Sequence, residues 1–444
     1  MLDRKFIVNH AELVKRTCAQ RGVRAEVDRL VHLEALRRQK LQQVQELNRQ
    51  ANEVAKSIGG AKEAAERERR KEEGRRLREQ KDAAQAEHDQ LEKEILALQA
   101  TIPNLSHPEA PLGPDDTAIR EVSRGKHAPP RFDGPPRDHV ELGTRLDLID
   151  LEGAARTTGH GFYFLRNEAV LLELALQQFA VRKLIAHGFT PSITPDLAQD
   201  RILEGIGFMP RGPETQVYSI ENSDLSLVGT AEITLGGLYA DQTLAEEDLP
   251  IKLCGISHCF RTEAGAHGRA TRGIFRVHQF TKVEMFAFTR PDQSEAMHQH
   301  LCELECEIFD ELGIPYRVVD TATGDLGGPA YRKFDLEAWM PGRGQGGEWG
   351  EVTSTSNCTD YQARRLNVRY KRKGEKGTHF VHTLNGTAIA VARAIIAILE
   401  NYQQPDGSVV IPEVLRAWVG TDRIRPRGPA PSRSGGESSH TPHS

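Results

Sequence analysis

The sequence predicts a protein in two unlike parts: a long antiparallel coiled-coil hairpin, then a globular body that mixes helices and strands. Three observations carry this. The first hundred residues hold 40 charged side chains, one aromatic (Phe6) and no proline, which suits long helices and cannot fill a compact core. Apolar residues recur at steps of three and four along two stretches of that segment. Beyond residue 138, apolar helical runs alternate with short strand-like pieces.

The first seam runs through Leu30, Leu33, Arg37, Lys40, Val44, Leu47, Ala51, Val54 and Ile58, and the second through Leu77, Lys81, Ala84, His88, Leu91, Ile95, Leu98 and Ile102. Each seam needs the other to bury it. Gly59-Gly60 and Gly74 bracket a charge-dense stretch that is expected to form the reversal, and Pro103 stops the second helix. At 1.5 Å per residue, arms of about 40 residues reach on the order of 60 Å, so the hairpin, residues 1–102, must project from the body. Residues 1 to 100 carry 22 Lys+Arg against 18 Asp+Glu, a surplus of 4 in a chain whose net charge is −5. Taken alone, such a hairpin fits a solvated scaffold or dimerisation rod better than a nucleic-acid arm.

Eight prolines between Pro103 and Pro136 mark a linker, residues 103–137. The body, 138–423, has helical runs at 169–186 and 294–312 and strand-like pieces at 251–260, 274–280 and 282–288. The polar stretch 424–444 reads as a disordered tail. Six cysteines with no CxxC pair read as reduced, small apolar residues, and no zinc is expected. The longest apolar run, 388–399, is interrupted by Arg393 and falls short of the roughly 18 residues of a membrane span. The first residues lack an apolar signal region, so the reading is a cytosolic protein with no membrane partner.

Chemistry concentrates in FRTEAGAHGRATRGIFRVHQFTKVEMF, residues 260–286. It holds Arg261, Arg269, Arg272, Arg276 and Lys282, with Glu263 and Glu284, on two expected strands joined by a loop containing Gly265, Gly268 and Gly273. Alternation puts Arg276, His278, Phe280, Lys282 and Glu284 on one face. A solvated sheet face accounts for Lys282 and His278, but not for phenylalanine, glutamate and arginine on one ribbon beside a basic loop. The forked donors of arginine match polyphosphate oxygens two at a time.

This segment resembles motif 2 of class II aminoacyl-tRNA synthetases in the form found in seryl-tRNA synthetases. AVLLELALQQFAVRKLIAHGFTPSITPDL (169–197) is similar to motif 1, with Pro195, and LNGTAIAVARAIIAILENYQ (384–403) to motif 3, with Arg393. LVGTAEITL (227–235) resembles the serine-site TxE segment, and GEVTSTSNCTDYQARRLNVRY (350–370) the metal and adenylate segment. The hairpin resembles the tRNA-binding arm. The resemblance implies an α+β fold: behind the hairpin, a class II synthetase domain with a central antiparallel sheet of six or seven strands flanked by helices, dimerising through motif 1. It further implies activation of L-serine by ATP with Mg²⁺ and transfer to the 3′ end of tRNA(Ser), and to tRNA(Sec) where the host has one.

By the same resemblance, Arg261, Glu351 and Arg393 are the catalytic residues. The ATP site comprises Arg261, Thr262, Glu263, Arg276, Val277, Phe280, Glu351, Val352, Thr353, Ser354 and Arg393, with Phe280 stacked on adenine, Glu263 at its amino group and Arg393 on the outer phosphates. Glu351 and Ser354 would take Mg²⁺. Serine would meet Thr230, Ala231, Glu232, Glu284, Asn385 and Thr387. Attack of a carboxylate on phosphorus needs positioning and charge neutralisation rather than a protein nucleophile, and arginine with a metal supplies both. Selecting so small a side chain requires buried hydrogen bonds, and two carboxylates suit one ammonium. Thr387 could equally cap the helix that follows it. The family usually has two serines after the acidic ligand; here Thr353 replaces the first. Two rivals remain at this point: a ligase serving an acceptor other than tRNA, against which the arm speaks, and an inactive synthetase body on a coiled-coil interaction protein.

Overall fold

The computed structural model describes residues 1–208, 216–263 and 272–427. Two short helices, α1 (Arg4–Asn9) and α2 (Ala11–Gln20), lead into the arms α3 (Val27–Ile58) and α4 (Ala64–Thr101). Leu30, Leu33, Leu77, Ala84, Ile95 and Ile102 are buried along the expected seams. The polar lapses of one seam meet polar groups of the other: Arg37 Nη1 lies 3.1 Å from His88 Nε2, and Lys40 pairs with Glu87.

The reversal is shorter than expected. It occupies Gly59 to Glu63, and most of the charge-dense stretch forms the first turns of α4. Gly74 lies inside that helix, buried against Val54. It marks close helix contact, not a boundary.

The body is built on one sheet of eight strands. They are β1 (Arg120–Arg124), β2 (Thr190–Ile193), β3 (Ile251–Phe260), β4 (Gln279–Thr289), β5 (Tyr316–Asp320), β6 (Arg332–Met340), β7 (Glu348–Asn357) and β8 (His382–Ala390), in the order β1-β5-β6-β7-β8-β4-β3-β2. Every neighbouring pair is antiparallel except β2 with β3. The count exceeds six or seven partly because the proline-rich segment itself supplies the edge strand β1. That segment is fastened to the body. Arg120 Nη2 donates to Asp320 Oδ2 at 2.6 Å, and Asn104 Nδ2 donates to the carbonyls of Pro329 and Cys358. Arg21, at the end of α2, donates to the carbonyls of Asn104 and Ala330, so the base of the arm is welded on as well.

Side-chain alternation on β4 decides where a site can open. Val283, Met285 and Ala287 point into the main core with α5 (Glu168–Ala186), α7 (Ser294–Glu311) and α9 (Val391–Asn401). Phe286 and Phe288 point to the opposite face, under a second core containing α6 (Ala231–Gly237) and α8 (Tyr361–Leu366). That covering stops short, so Phe280 and Lys282 help line an open cleft.

The piece 274–278 is not a strand. Its backbone bonds go elsewhere, Ile274 N donating to His139 Nε2 and His278 N to the carbonyl of Gly161. At the other end, Ile424 is buried and pairs with Val409, and Arg427 Nη2 donates to Glu168 Oε2 at 2.6 Å. The fold thus runs past the expected start of the tail, because Ile424 has a core position to fill. Residues 428–444 lie outside the described residues. Among the described residues, no helix is long and apolar enough to cross a membrane.

Candidate active site

Arg261 follows β3 directly. Its Nε donates to the carbonyl of Gly229 at 3.3 Å, and its guanidinium lies 5.4 Å from the centre of the Phe280 ring. Glu263, at φ 49°, accepts Arg276 Nη1 at 3.0 Å, and Thr262 N donates to the carbonyl of Gln216. Val277 is buried at the edge of the same cleft. Arg272 turns away to Asp138, 2.8 Å from its Nε. Arg269, Gly265 and Gly268 lie outside the described residues.

Arg393 enters from the first turn of α9. Its Nη1 donates to the Glu351 carbonyl at 2.9 Å and lies 3.6 Å from Glu351 Oε1. Desolvation in the cleft pushes the Glu351 carboxyl upward, but Arg393, with Lys333, Arg261 and Arg276, outweighs it and holds the group below the ordinary carboxylate range.

Glu351 and Ser354 are three apart and would fall on opposite faces of a regular strand. The pairing of β6 with β7 slips between Leu336 and Glu337, which face Thr353 and Glu351, leaving Val352 as an extra residue. This bulge resets the alternation and brings Glu351 and Ser354 to one cleft. Thr353 then turns its hydroxyl to the helix side, where it donates to Glu305 Oε2 at 2.9 Å. An ionised carboxylate and a nearby hydroxyl suit Mg²⁺, which takes few protein ligands and fills its shell with phosphates and water. Among the described residues, no group of three acidic, histidine or cysteine side chains gathers as an all-protein cage.

Beside this cleft, next to the Gly229 that Arg261 contacts, Thr230 caps α6, its Oγ1 accepting from Glu232 N at 3.2 Å. Gly255 on β3 lets this helix lie close: a Cβ there would stand 3.0 Å from that of the buried Ala231 and 2.9 Å from Thr194 Cγ2. Glu232 Oε1 accepts from Gln362 Nε2 at 2.7 Å and Asn385 Nδ2 at 2.9 Å. Burial first, and Glu284 second, push its carboxyl up to about 7. Thr387 sits on β8 opposite Glu284, and its Oγ1 donates to Glu284 Oε2 at 3.0 Å. The cap position of α9 belongs to Ala390, so Thr387 is a cleft residue and not a helix cap.

Residues 1–106 match the seryl-tRNA synthetase N-terminal domain, and residues 216–402 the tRNA synthetase class II core domain (G, H, P, S and T). A protein named serine–tRNA ligase from Rhodopirellula baltica is 64% identical over 96% of this chain and 100% of its own length. The chain belongs to the seryl-tRNA synthetase family. A serine–tRNA ligase from Rubrobacter xylanophilus is 54% identical over 96% of this chain and 99% of its own. Among solved structures, seryl-tRNA synthetase from Pyrococcus horikoshii complexed with ATP superposes with a TM-score of 0.90 at 40% identity, covering 96% of this chain and 100% of that one. The cytoplasmic serine–tRNA ligase of Naegleria fowleri in complex with AMP gives 0.85 at 32%, covering 96% and 99%.

Within this seryl-tRNA synthetase fold, two cleft residues escape a reading of the sequence. Lys282, attributed above to a solvated face, is buried, with its Nζ 2.5 Å from Glu284 Oε2. Gln362 is fully buried and orients Glu232 while accepting Thr383 Oγ1 at 2.6 Å. The signal for Lys282 was its place between Phe280 and Glu284 on one face. For Gln362 there was none, since its partner Glu232 lies 130 residues away.

Proposed function

We infer that this chain is a serine–tRNA ligase, which activates L-serine with ATP and transfers it to the 3′ end of tRNA(Ser), and to tRNA(Sec) where the cell makes one. The observation that carries the reading is the adjacency of two clusters. Buried Glu284 is bonded to Thr387 and Lys282, and both of these line the cleft that also holds Arg261, Arg393 and Phe280.

In this reading, serine lies between Glu232, Glu284 and Thr387, its carboxylate directed at the α-phosphate of an ATP whose adenine stacks on Phe280. The carboxylate oxygen bonds to phosphorus, the bond from phosphorus to the bridging oxygen breaks, and pyrophosphate leaves. Arg261 neutralises charge developing on the α-phosphate, and Arg393 that on the outer phosphates. Mg²⁺, held by Glu351 and Ser354, would neutralise phosphate charge. In the second step a terminal ribose hydroxyl of tRNA attacks the serine carbonyl carbon and AMP departs. The match of residues 1–106 to the N-terminal domain of the family supports tRNA, rather than another acceptor, as the recipient.

We further propose a cytoplasmic homodimer. Ile193 on the edge strand β2 is 86% exposed and Leu174 on α5 is 57% exposed, with Val170, Leu171 and Phe164 also uncovered. An uncovered apolar patch beside an open sheet edge supports a second copy as its cover.

The test is a charging assay. With ATP, Mg²⁺ and unfractionated tRNA, the full chain should attach radiolabelled serine to tRNA in a base-labile ester, and neither step should proceed without ATP. Adenylate formation from serine with no label reaching tRNA would favour the other acceptor class.

A further inference from the structure

The amino-acid pocket already contains an ion pair. Lys282 Nζ lies 2.5 Å from Glu284 Oε2, and Thr387 Oγ1 closes a triangle, 3.3 Å from the ammonium and 3.0 Å from the same carboxylate oxygen. The two charged side chains are 7% and 2% exposed. Desolvating two charges is costly, and removing one partner strands the other. The carboxylate that would receive an incoming ammonium is therefore occupied by the protein's own cation.

An amino acid is a zwitterion, carrying the complement of both members of this pair. The order along β4 is also directional. Phe280, Lys282 and Glu284 share a face at steps of about 6.8 Å, so the lysine stands between the nucleotide end and the ammonium end of the cleft.

We propose that serine binds by inserting head to tail into the Lys282–Glu284 pair. Its ammonium replaces Lys282 on Glu284, and the freed Lys282 ammonium takes its carboxylate on the side facing the α-phosphate. One buried ion pair becomes two, with no net charge added. Lys282 is thus a substrate-binding residue that orients the attacking carboxylate, and Thr387 is the pivot of the exchange. The inference rests on the reading of this pocket as the serine site.

A ligand with only one of the two charges would open the pair and leave one member unpaired, so each half of serine should be rejected. The experiment is calorimetric titration of the full chain with serine, with ethanolamine (serine without its carboxylate) and with 3-hydroxypropanoate (serine without its amine). Wild type should bind serine and neither half. In Lys282→Met, serine should bind about 30-fold more weakly or worse, while ethanolamine should gain about tenfold or more over wild type, because it supplies the cation Glu284 has lost. Glu284→Gln provides the mirror, with 3-hydroxypropanoate gaining and ethanolamine not. The exchange is refuted if Lys282→Met holds serine within threefold of wild type, or if neither half-ligand gains in its variant. Serine-dependent pyrophosphate exchange by wild type is run alongside. Its absence would overturn the serine reading itself, whereas its presence with unchanged half-ligand binding would overturn only the ion-pair exchange.

Discussion

At Glu232, amide groups from Gln362 and Asn385 meet on one carboxylate oxygen, and burial beside Glu284 lifts the group to about 7. A cationic amine is attracted to the ionised form. The ionised fraction rises roughly tenfold per pH unit below the pKa and levels off above it. The KM for serine should therefore fall as pH rises from 6 through about 7 and flatten by pH 8, with the KM for ATP moving far less. Pyrophosphate exchange across that range measures both, and Glu232→Gln should remove the slope along with most of the affinity. A flat serine KM in the wild type would mean that Glu232 does not titrate against the substrate. Thr230, Glu232 and Glu284 could be named from the sequence because short segments around them have a recognisable order. Lys282 could be seen but not interpreted, since a lysine on an alternating strand is more often solvated. Gln362 carries no signal in the sequence, because only the fold brings it to Glu232.

Elements whose rules are local are legible in the sequence. The heptad seams of α3 and α4 follow from spacing within each helix: every seam position is buried or half-buried, although Glu34 and Gln99, which lie off the seams, are buried as well. Features that depend on a partner element are not. Gly74 reads as a boundary in the sequence because its contact, Val54, belongs to the other helix, and the bulge at Val352 exists only relative to β6. The added Cβ of Gly74→Ala would stand 3.6 Å from Val54 Cγ1, an ordinary contact. Alanine should therefore stabilise the arm by up to about 1 kcal/mol. Denaturant unfolding would detect this, and destabilisation would mean the arms lie closer than described. At the tip, Arg70 pairs with Glu66, Lys71 with Glu68 and Arg75 with Glu72. Among the described residues, Arg67, Arg69, Arg76 and Arg78 form no ion pair. Changing these four to glutamine should leave pyrophosphate exchange unchanged, weaken tRNA binding and flatten its salt dependence. Charging at the wild-type tRNA KM would make the arm a rod rather than a tRNA contact.

For the whole molecule, the split between arm and mixed body is legible in composition and periodicity, whereas the α+β class with its antiparallel sheet follows from the resemblance of the motifs. The strand order came only with tertiary pairing, and the proline-rich stretch proved able to supply an edge strand. The proposed homodimer, argued from the exposed apolar side chains around β2 and α5, would have twice the 49.4 kDa chain mass. Light scattering after size exclusion should show this for the wild type, and a single-chain mass for Ile193→Asp combined with Leu174→Asp. A wild-type monomer would leave the patch unexplained. The central claim is that one cleft transfers the adenylyl group of ATP to serine, and to no other amino acid, with release of pyrophosphate in the absence of tRNA. It is tested most directly by amino-acid-dependent ATP–pyrophosphate exchange with each of the twenty amino acids. The expected result is rapid exchange with serine and at most trace exchange with the other nineteen, lost in Arg261→Ala and Glu351→Ala. Exchange driven by a different amino acid, with none from serine, would contradict the account.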